Sequence, residues 1–545
     1  MSNPLKYTTS TPTGALRHAT LGAGVANGEY DNTWRNGITP YTLTSYYLVY
    51  EPDSGGEVRV YAPADAAELI QLAQSKGSSE TTEAGALKWF PLNGFYPSNK
   101  VLDNIVTDDL VLLLDSTTAT SYPTSGIDWL DLSGEANDGT LINDPTFEDG
   151  VFNLNEGGSG SERIEIPKSS QLATNQYLTI EILFKLNTLP TVAYGDNSPI
   201  LGARIGSDYM IFAYPESNNK SHLGVSYDDS RYQSQHESVF ETEAGRWVQF
   251  THVGIPYESG GYQRGKLMYY INGALDRDEF ISGDNNGWGI PNPFYGGYDA
   301  RWFKYSDISI AKIRMYNKQL TSGEISQNYH QGPIVTDDLV LAVDPSNLVS
   351  FESGTTTTYS LTGSLDGTLY NGIGYSSEYS GIFTLDGVDD GIIVPDDSTL
   401  DLSDFTLEAW IWWNQHKNYG SILCKGPGGS GQLFNYAFFF YSGNIVCGFG
   451  DGSSWTPVSI STPTINQWHH IVGTYDGSNL KFYLDGNLAN TVAVSGTPYQ
   501  NTTDLGLLHT PYPIDGKVGP LRIYNKALTA DEVAQNYNAN IKRYT

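Results

Sequence analysis

Ile313-Arg-Met-Tyr-Asn-Lys318 and, 208 residues later, Leu521-Arg-Ile-Tyr-Asn-Lys526 are the stretches on which the reading of this chain turns. Each is followed at the same distance by a second match, Gln327-Asn-Tyr329 and Gln535-Asn-Tyr537. Moving towards the N-terminus, Trp247 answers to Trp468, and Gly150, Phe152 and Leu154 answer to Gly381, Phe383 and Leu385. Asp138-Gly-Thr-Leu141 returns as Asp366-Gly-Thr-Leu369, and Thr107-Asp-Asp-Leu-Val-Leu112 as Thr336-Asp-Asp-Leu-Val-Leu341. Ordered matches over this length far exceed the about 20–45 residues of a solenoid unit, so each copy is a complete domain. The offset falls from 229 to 208, which makes the first copy 21 residues longer, mostly between Tyr227 and Trp302. That stretch is rich in Gly, Tyr, Asp and Asn, the composition of surface-loop insertions.

Within a copy the local signals are those of strands. Phe405–Trp413 is a β-branched and aromatic run. Tyr436–Tyr441 and Asn444–Phe449 flank Ser442-Gly443, while Asn479–Leu484 and Asn487–Val492 flank Asp485-Gly486, both two-residue hairpin turns; Asn272-Gly273 takes that place in the first copy. Turn signals every 8–12 residues or so imply two stacked antiparallel sheets. Each copy closes on a capping box, Thr321-x-x-Glu324 and Thr529-x-x-Glu532, which predicts a short helix packed through Ile325 and Tyr329 or through Val533 and Tyr537. The fold class expected is mainly β: two tandem antiparallel β-sandwich jelly rolls, at 107–335 and 336–545, behind a small α+β domain at 37–106 and an extended arm at 1–36. In the small domain, Ser45–Glu51 and Glu57–Ala62 read as strands and Asp65–Ser75 as an amphipathic helix.

Composition excludes several function classes. With 61 acidic against 30 basic residues the formal charge is −31, a field that repels nucleic acid and anionic membrane, so neither is expected as a partner. No apolar run approaches the roughly 20 residues of a membrane-spanning helix. Met1–Thr9 lacks the basic-then-apolar pattern of a secretory leader. Only Cys424 and Cys447 occur, on strands separated by Tyr436–Tyr441, which predicts two buried free thiols and no disulfide. The motifs of catalysis are missing. There is no Glu-x-Asp-x-x-Glu of sandwich glucanases, Glu162-Arg-Ile-Glu165 having the wrong spacing, and no Gly-x-Ser-x-Gly, P-loop or His-Glu-x-x-His. The chain is therefore expected not to be an enzyme.

Two resemblances sharpen this. Phe383-Thr-Leu-Asp-Gly-Val-Asp-Asp-Gly391 with Val394-Pro395, Phe405-Thr-Leu-Glu-Ala-Trp410, Trp468-His-His-Ile-Val-Gly473 and Lys517-Val-Gly-Pro-Leu-Arg-Ile-Tyr-Asn-Lys-Ala-Leu528 together resemble the laminin-G-like branch of the concanavalin A-like jelly rolls. Ile105-Val-Thr-Asp-Asp-Leu-Val-Leu-Leu-Leu-Asp115, Ser121-Tyr-Pro-Thr-Ser-Gly126, Trp129-x-Asp-Leu-Ser-Gly134 and Asn137-Asp-Gly-Thr-Leu141 are similar to virion structural proteins of tailed bacteriophages, notably those of marine cyanobacteria. The second resemblance implies a protein made in the host cytoplasm and placed at the virion surface. It would be held by other virion proteins through residues 1–106, assemble with copies of itself, and display its sandwiches for host-surface glycan attachment or for particle decoration. A purely architectural capsid or tail component and a polysaccharide depolymerase are the alternatives.

The candidate sites lie in loops. Asp386, Asp389 and Asp390 cluster in one loop of the second copy, where carboxylates suit Ca²⁺ or, alternatively, bond their own turn; the first copy has Asn155-Glu-Gly-Gly-Ser-Gly-Ser-Glu162 there. Tyr295, Tyr298, Trp302, Trp455, Tyr499 and Tyr512 are the loop aromatics expected to meet a ligand or a neighbouring subunit. Strand alternation puts Trp410 and Trp412 opposite Trp413, with core packing favoured over sugar stacking. His469 and His470 point to opposite faces, one packed and one solvated by expectation, without the further ligands zinc would need.

Overall fold

The computed structural model describes residues 105–154, 307–415, 417–427, 431–508 and 514–544 continuously, shorter stretches between 162 and 305, and isolated strands before residue 100. The chain divides into two compact units, Met1–Ile325 and Ser326–Thr545.

In the first unit one sheet runs Tyr232–Thr242, Lys220–Asp229, Tyr209–Glu216, Ser198–Ala203, Phe294–Gly296, Arg163–Ile166, Gly139–Ile142, Asp128–Trp129. The facing sheet runs Ala274–Ile281, Tyr262–Ile271, Trp247–Ser259, Leu178–Leu186, Ile308–Tyr316, Val151–Leu154, Thr146–Glu148, with Leu110–Asp115 also paired to Ile308–Tyr316. Between them lies a core that includes Leu112, Leu114, Trp129, Phe152, Ile182, Phe184 and Ile313. A separate four-stranded sheet orders Leu5–Tyr7, Val58–Tyr61, Leu48–Tyr50 and Phe95–Pro97. Both strands expected in the small domain are therefore present. Leu5–Tyr7, from the stretch expected to be an extended arm, pairs with Val58–Tyr61 instead. The helix expected at Asp65–Ser75 lies, but for Gln74, outside the described residues.

The second unit repeats the design. Its helix-covered sheet runs Gly374–Ser376, Ile382–Asp386, Asp515–Tyr524, Phe405–Trp413, Trp468–Tyr475, Asn479–Leu484, Asn487–Ala493, with Leu339–Val343 also on Asp515–Tyr524. Its open sheet runs Thr357–Thr358, Gly367–Tyr370, Gly391–Val394, Leu505–Leu507, Ser421–Lys425, Tyr436–Tyr441, Asn444–Gly450, Trp455–Ser461. Every pairing in both sheets is antiparallel, and alternation sends Tyr436, Phe438 and Phe440 inward with Ile445, Cys447 and Phe449. The turns obey their chemistry: Ser442-Gly443 and Asp485-Gly486 have φ of 50° and 76°, and 49° and 77°, the paired left-handed values of a tight hairpin.

The recurring motifs turn out to be joints. The capping boxes form as expected: the Glu324 and Glu532 N–H groups donate to the Thr321 and Thr529 hydroxyls, and each Glu carboxylate accepts from its Thr N–H. They open helix α1, Ser322–His330, and helix α2, Ala530–Asn540. Lys318 then bridges Asp108 and Glu324, and Lys526 bridges Asp337 and Glu532, pinning the first strand of each sandwich to its closing helix. Tyr316 and Tyr524 donate their hydroxyls to the carbonyls of Val106 and Val335, both at 3.1 Å. Buried Arg314 pairs with Glu181, and buried Arg522 with Glu408. Among the described residues no helix is long and apolar enough to cross a membrane.

Candidate functional site

The acidic loop of the second sandwich is built by the turn between Ile382–Asp386 and Gly391–Val394. Gly387 sits at φ 74°, and a Cβ there would lie 2.7 Å from the Cβ of Asp515, so the chain can reverse only with glycine at this point. The reversal brings ligand oxygens of Asp386, Asp389 and Asp390 within 4.8 Å of one another. Two oxygens on opposite sides of one calcium stand about 4.6–5.2 Å apart, twice the metal–oxygen distance, so the spacing fits one Ca²⁺.

Part of the loop satisfies itself, as the turn alternative expected. Asp386 Oδ1 accepts from the Val388 N–H at 2.7 Å, and Asp390 Oδ2 accepts from the Asp386 N–H at 2.8 Å. Asp390 Oδ1, on a residue only 2% exposed, has no hydrogen-bond partner. Burial pushes the Asp390 carboxyl up, and the neighbouring charges of Asp386 and Asp389 push it further in the same direction. A buried, partnerless carboxylate oxygen among like charges is the donor set a hard cation would neutralise. Lys417 donates to the Gly387 carbonyl at 2.7 Å, and Asp515 is engaged by Asn414 and Gln415, so neither completes the cluster.

The aromatic candidates separate. Trp302 and Tyr512 lie outside the described residues, and Tyr295 and Tyr298 fall on short strands, Phe294–Gly296 and Tyr298–Asp299, rather than in a loop. Trp455 is also a correction: it opens the edge strand Trp455–Ser461 and packs against Phe439 at 5.7 Å and Phe434 at 6.0 Å. Tyr499 is in a loop and 39% exposed.

Trp413 enters the core, and Trp410 on the other face is fully buried because Tyr537 of α2 and Tyr544 stack over it at 5.6 and 4.6 Å. The same cover corrects the histidine expectation for His470, which lies under Tyr537, while His469 packs on the inner face against Trp413, so neither ring is solvated. His470 lies against Glu408 at 3.2 Å, and His469 Nδ1 meets Asp485 Oδ2 at 3.0 Å. The cysteines are free and lie on strands flanking Tyr436–Tyr441, as the spacing implied, but Cys424 faces away from the core and is half-buried rather than buried. Glu165, of the rejected Glu-x-x-Glu, is tied to Arg163 at 2.6 Å.

Sequence reasoning missed Tyr419 and Tyr441. Their rings stand 5.2 Å apart at 46°, both about half exposed, because the Ser442 N–H donates to Asn418 and the Tyr419 N–H donates to the Phe440 carbonyl. Twenty-two residues separate the two tyrosines, and only the sheet register brings them together.

The family described as the concanavalin A-like lectin/glucanases superfamily, in its laminin-G form, matches residues 157–326 and 386–534, more than half of the chain. No curated protein matches the chain. Among solved structures it is similar to domain 4 of an extracellular arabinanase from Geobacillus stearothermophilus in complex with arabinotriose, at 19% identity, 37% of this chain, 98% of that one and a TM-score of 0.31. It is also similar to domains LG4-5 of the mouse laminin alpha1 chain, at 11% identity, 71% and 93% coverage and a TM-score of 0.25. A third is botulinum neurotoxin type C, described as entering cells through interaction with two ganglioside molecules, at 10% identity, 80% and 97% coverage and a TM-score of 0.33. At TM-scores this low these structures add nothing to the family match. With one match in each of two antiparallel two-sheet sandwiches, the chain belongs to the concanavalin A-like lectin/glucanase superfamily, in its laminin-G-like branch.

Proposed function

We propose that this chain is a non-enzymatic structural protein of a tailed-phage virion, held in the particle by residues 1–106 and presenting its sandwiches to glycans of the host surface. The cation-ready loop carries the binding half of this reading: Asp390 Oδ1 is buried without a partner beside Asp386 and Asp389. A bound Ca²⁺ would order that loop and offer open coordination positions to sugar hydroxyls. The virion half rests on the likeness of residues 105–141 to phage structural proteins. Many copies on one particle would turn weak single contacts into avidity.

Calcium at a hundredfold excess over its dissociation constant stabilises a folded unit by about 2.7 kcal/mol, which for a unit this size raises the melting temperature by roughly 5–11 °C. Asp390→Asn should abolish that rise, and a wild-type melting curve indifferent to calcium and chelator refutes the cation site. For the virion half, a chain lacking residues 1–36 should fail to enter particles, whereas normal incorporation refutes the anchoring role.

A further inference from the structure

The two sheets of the second sandwich are covered differently. Helix α2 and Tyr544 lie over Trp410 on the outer face of the helix-covered sheet. No α-helix lies over the outer face of the open sheet among the described residues; the short 3-10 turn Gly431–Leu433 packs on its Trp455 end, and the rest of the face carries aromatic rings. On Tyr436–Tyr441 the inward residues are Tyr436, Phe438 and Phe440, so Phe439 and Tyr441 point outward, about 7 Å apart along the strand. Phe439 meets Trp455 at 5.7 Å, and Tyr441 meets Tyr419 at 5.2 Å. The result is a strip of four rings, Trp455, Phe439, Tyr441 and Tyr419, crossing the open face. Its exposed end, at Tyr441 and Tyr419, is bordered by Asn418, Ser442 and Asn444, which are neutral and polar.

We infer that this strip is a ring-stacking subsite for a neutral oligosaccharide chain, with Tyr419 and Tyr441 as its contact residues. The inference rests on the glycan-binding reading above and names where the sugar lies.

Three observations favour a glycan over a protein. The two tyrosines are 48% and 46% exposed, so each offers about 100 Å² and the whole strip roughly 300 Å², well short of the about 800 Å² per partner of a stable protein interface. The ring faces are interrupted by neutral amide and hydroxyl groups, which matches the alternating apolar faces and hydroxyl edges of a sugar chain. The turn that holds Tyr419 is also tied to the separate acidic loop, Lys417 donating to the Gly387 carbonyl at 2.7 Å, so the exposed end of the strip lies on the turn that borders the candidate cation loop.

The test is affinity electrophoresis of the full chain in native gels containing dextran, a soluble β-glucan or a galactomannan, with calcium or with chelator. The expected result is retardation of the wild type in at least one gel. The double variant Tyr419→Ala/Tyr441→Ala should weaken it by about tenfold or more, equivalent to about 1.4 kcal/mol, and Tyr419→Phe/Tyr441→Phe should retain it. If the wild type is retarded and the alanine variant is retarded equally, the strip is overturned while glycan binding stands. If the wild type is retarded in none of the gels, both are overturned. If the alanine variant keeps its retardation but changes sedimentation coefficient, the face is a contact between copies and the inference fails.

Discussion

Glu408→Gln tests whether the buried network beneath α2 holds the second sandwich together. Glu408 is fully buried and paired with Arg522, with His470 at 3.2 Å, and Asn536 donates to its other oxygen at 2.6 Å. Burial alone would raise its carboxyl; the Arg522 charge, with the help of His470 and Asn536, overcomes this and holds it at about 2 against an ordinary 4.5. That depression corresponds to about 3 kcal/mol, in line with the about 3–5 kcal/mol lost when one partner of a buried pair is removed. For a unit of roughly 220 residues the loss in melting temperature is about 6–12 °C. A carboxyl whose folded value lies below its unfolded one contributes its full stability above about pH 4.5 and loses it as the pH falls towards 2. Scanning calorimetry of wild type and Glu408→Gln should therefore show a wide gap near neutrality that narrows through this window. A gap under about 2 °C at pH 7, or one that stays constant down to pH 2.5, would show that the ion pair contributes no net stability.

Two further outcomes follow from packing and burial. Gly367→Ala places a methyl 2.7 Å from Ile392 Cγ2, so thermal denaturation should report a loss of about 1–3 kcal/mol, whereas Gly323→Ala on α1, where nothing lies within 4 Å, should be neutral or stabilising; equal effects would refute the packing argument. Burial holds the core thiol of Cys447 well above the ordinary range and that of half-buried Cys424 above it to a lesser degree, so Ellman's reagent should find Cys447 unreactive and Cys424 slow in the native protein and two fast thiols after unfolding, and a fast Cys447 in the native protein would refute its place in the core.

The fold was legible because its determinants are local or repeated. Capping boxes, two-residue turns and alternating strands each specify geometry within a few residues, and the duplicated Leu/Ile-Arg-x-Tyr-Asn-Lys signature marks a joint that forms in both copies. The candidate site was legible only where it too was local, in Asp386, Asp389 and Asp390. Tyr419 and Tyr441 were invisible because a register between distant strands joins them. The solvated histidine and the buried Cys424 were misread for a related reason. Alternation tells which face a side chain takes but not what covers that face, and here α2 and Tyr544 cover one outer face while the other stays open. Trp455, Tyr295 and Tyr298 were placed in loops because their Gly- and Pro-rich surroundings hide strands: an edge strand for Trp455, a three-residue strand paired on both sides for Tyr295 and a two-residue strand for Tyr298.

In both sandwiches the first strand lies antiparallel against the last, with Leu110 opposite Tyr316 and Leu339 opposite Tyr524. Chain comes in and goes out at the same end of the same strand pair. A load pulling on those two points peels that ladder one hydrogen bond at a time instead of breaking the whole row at once. The Lys318 and Lys526 bridges stand at the fork where such peeling must start. A pull applied along the chain would therefore meet resistance first at these two lysines.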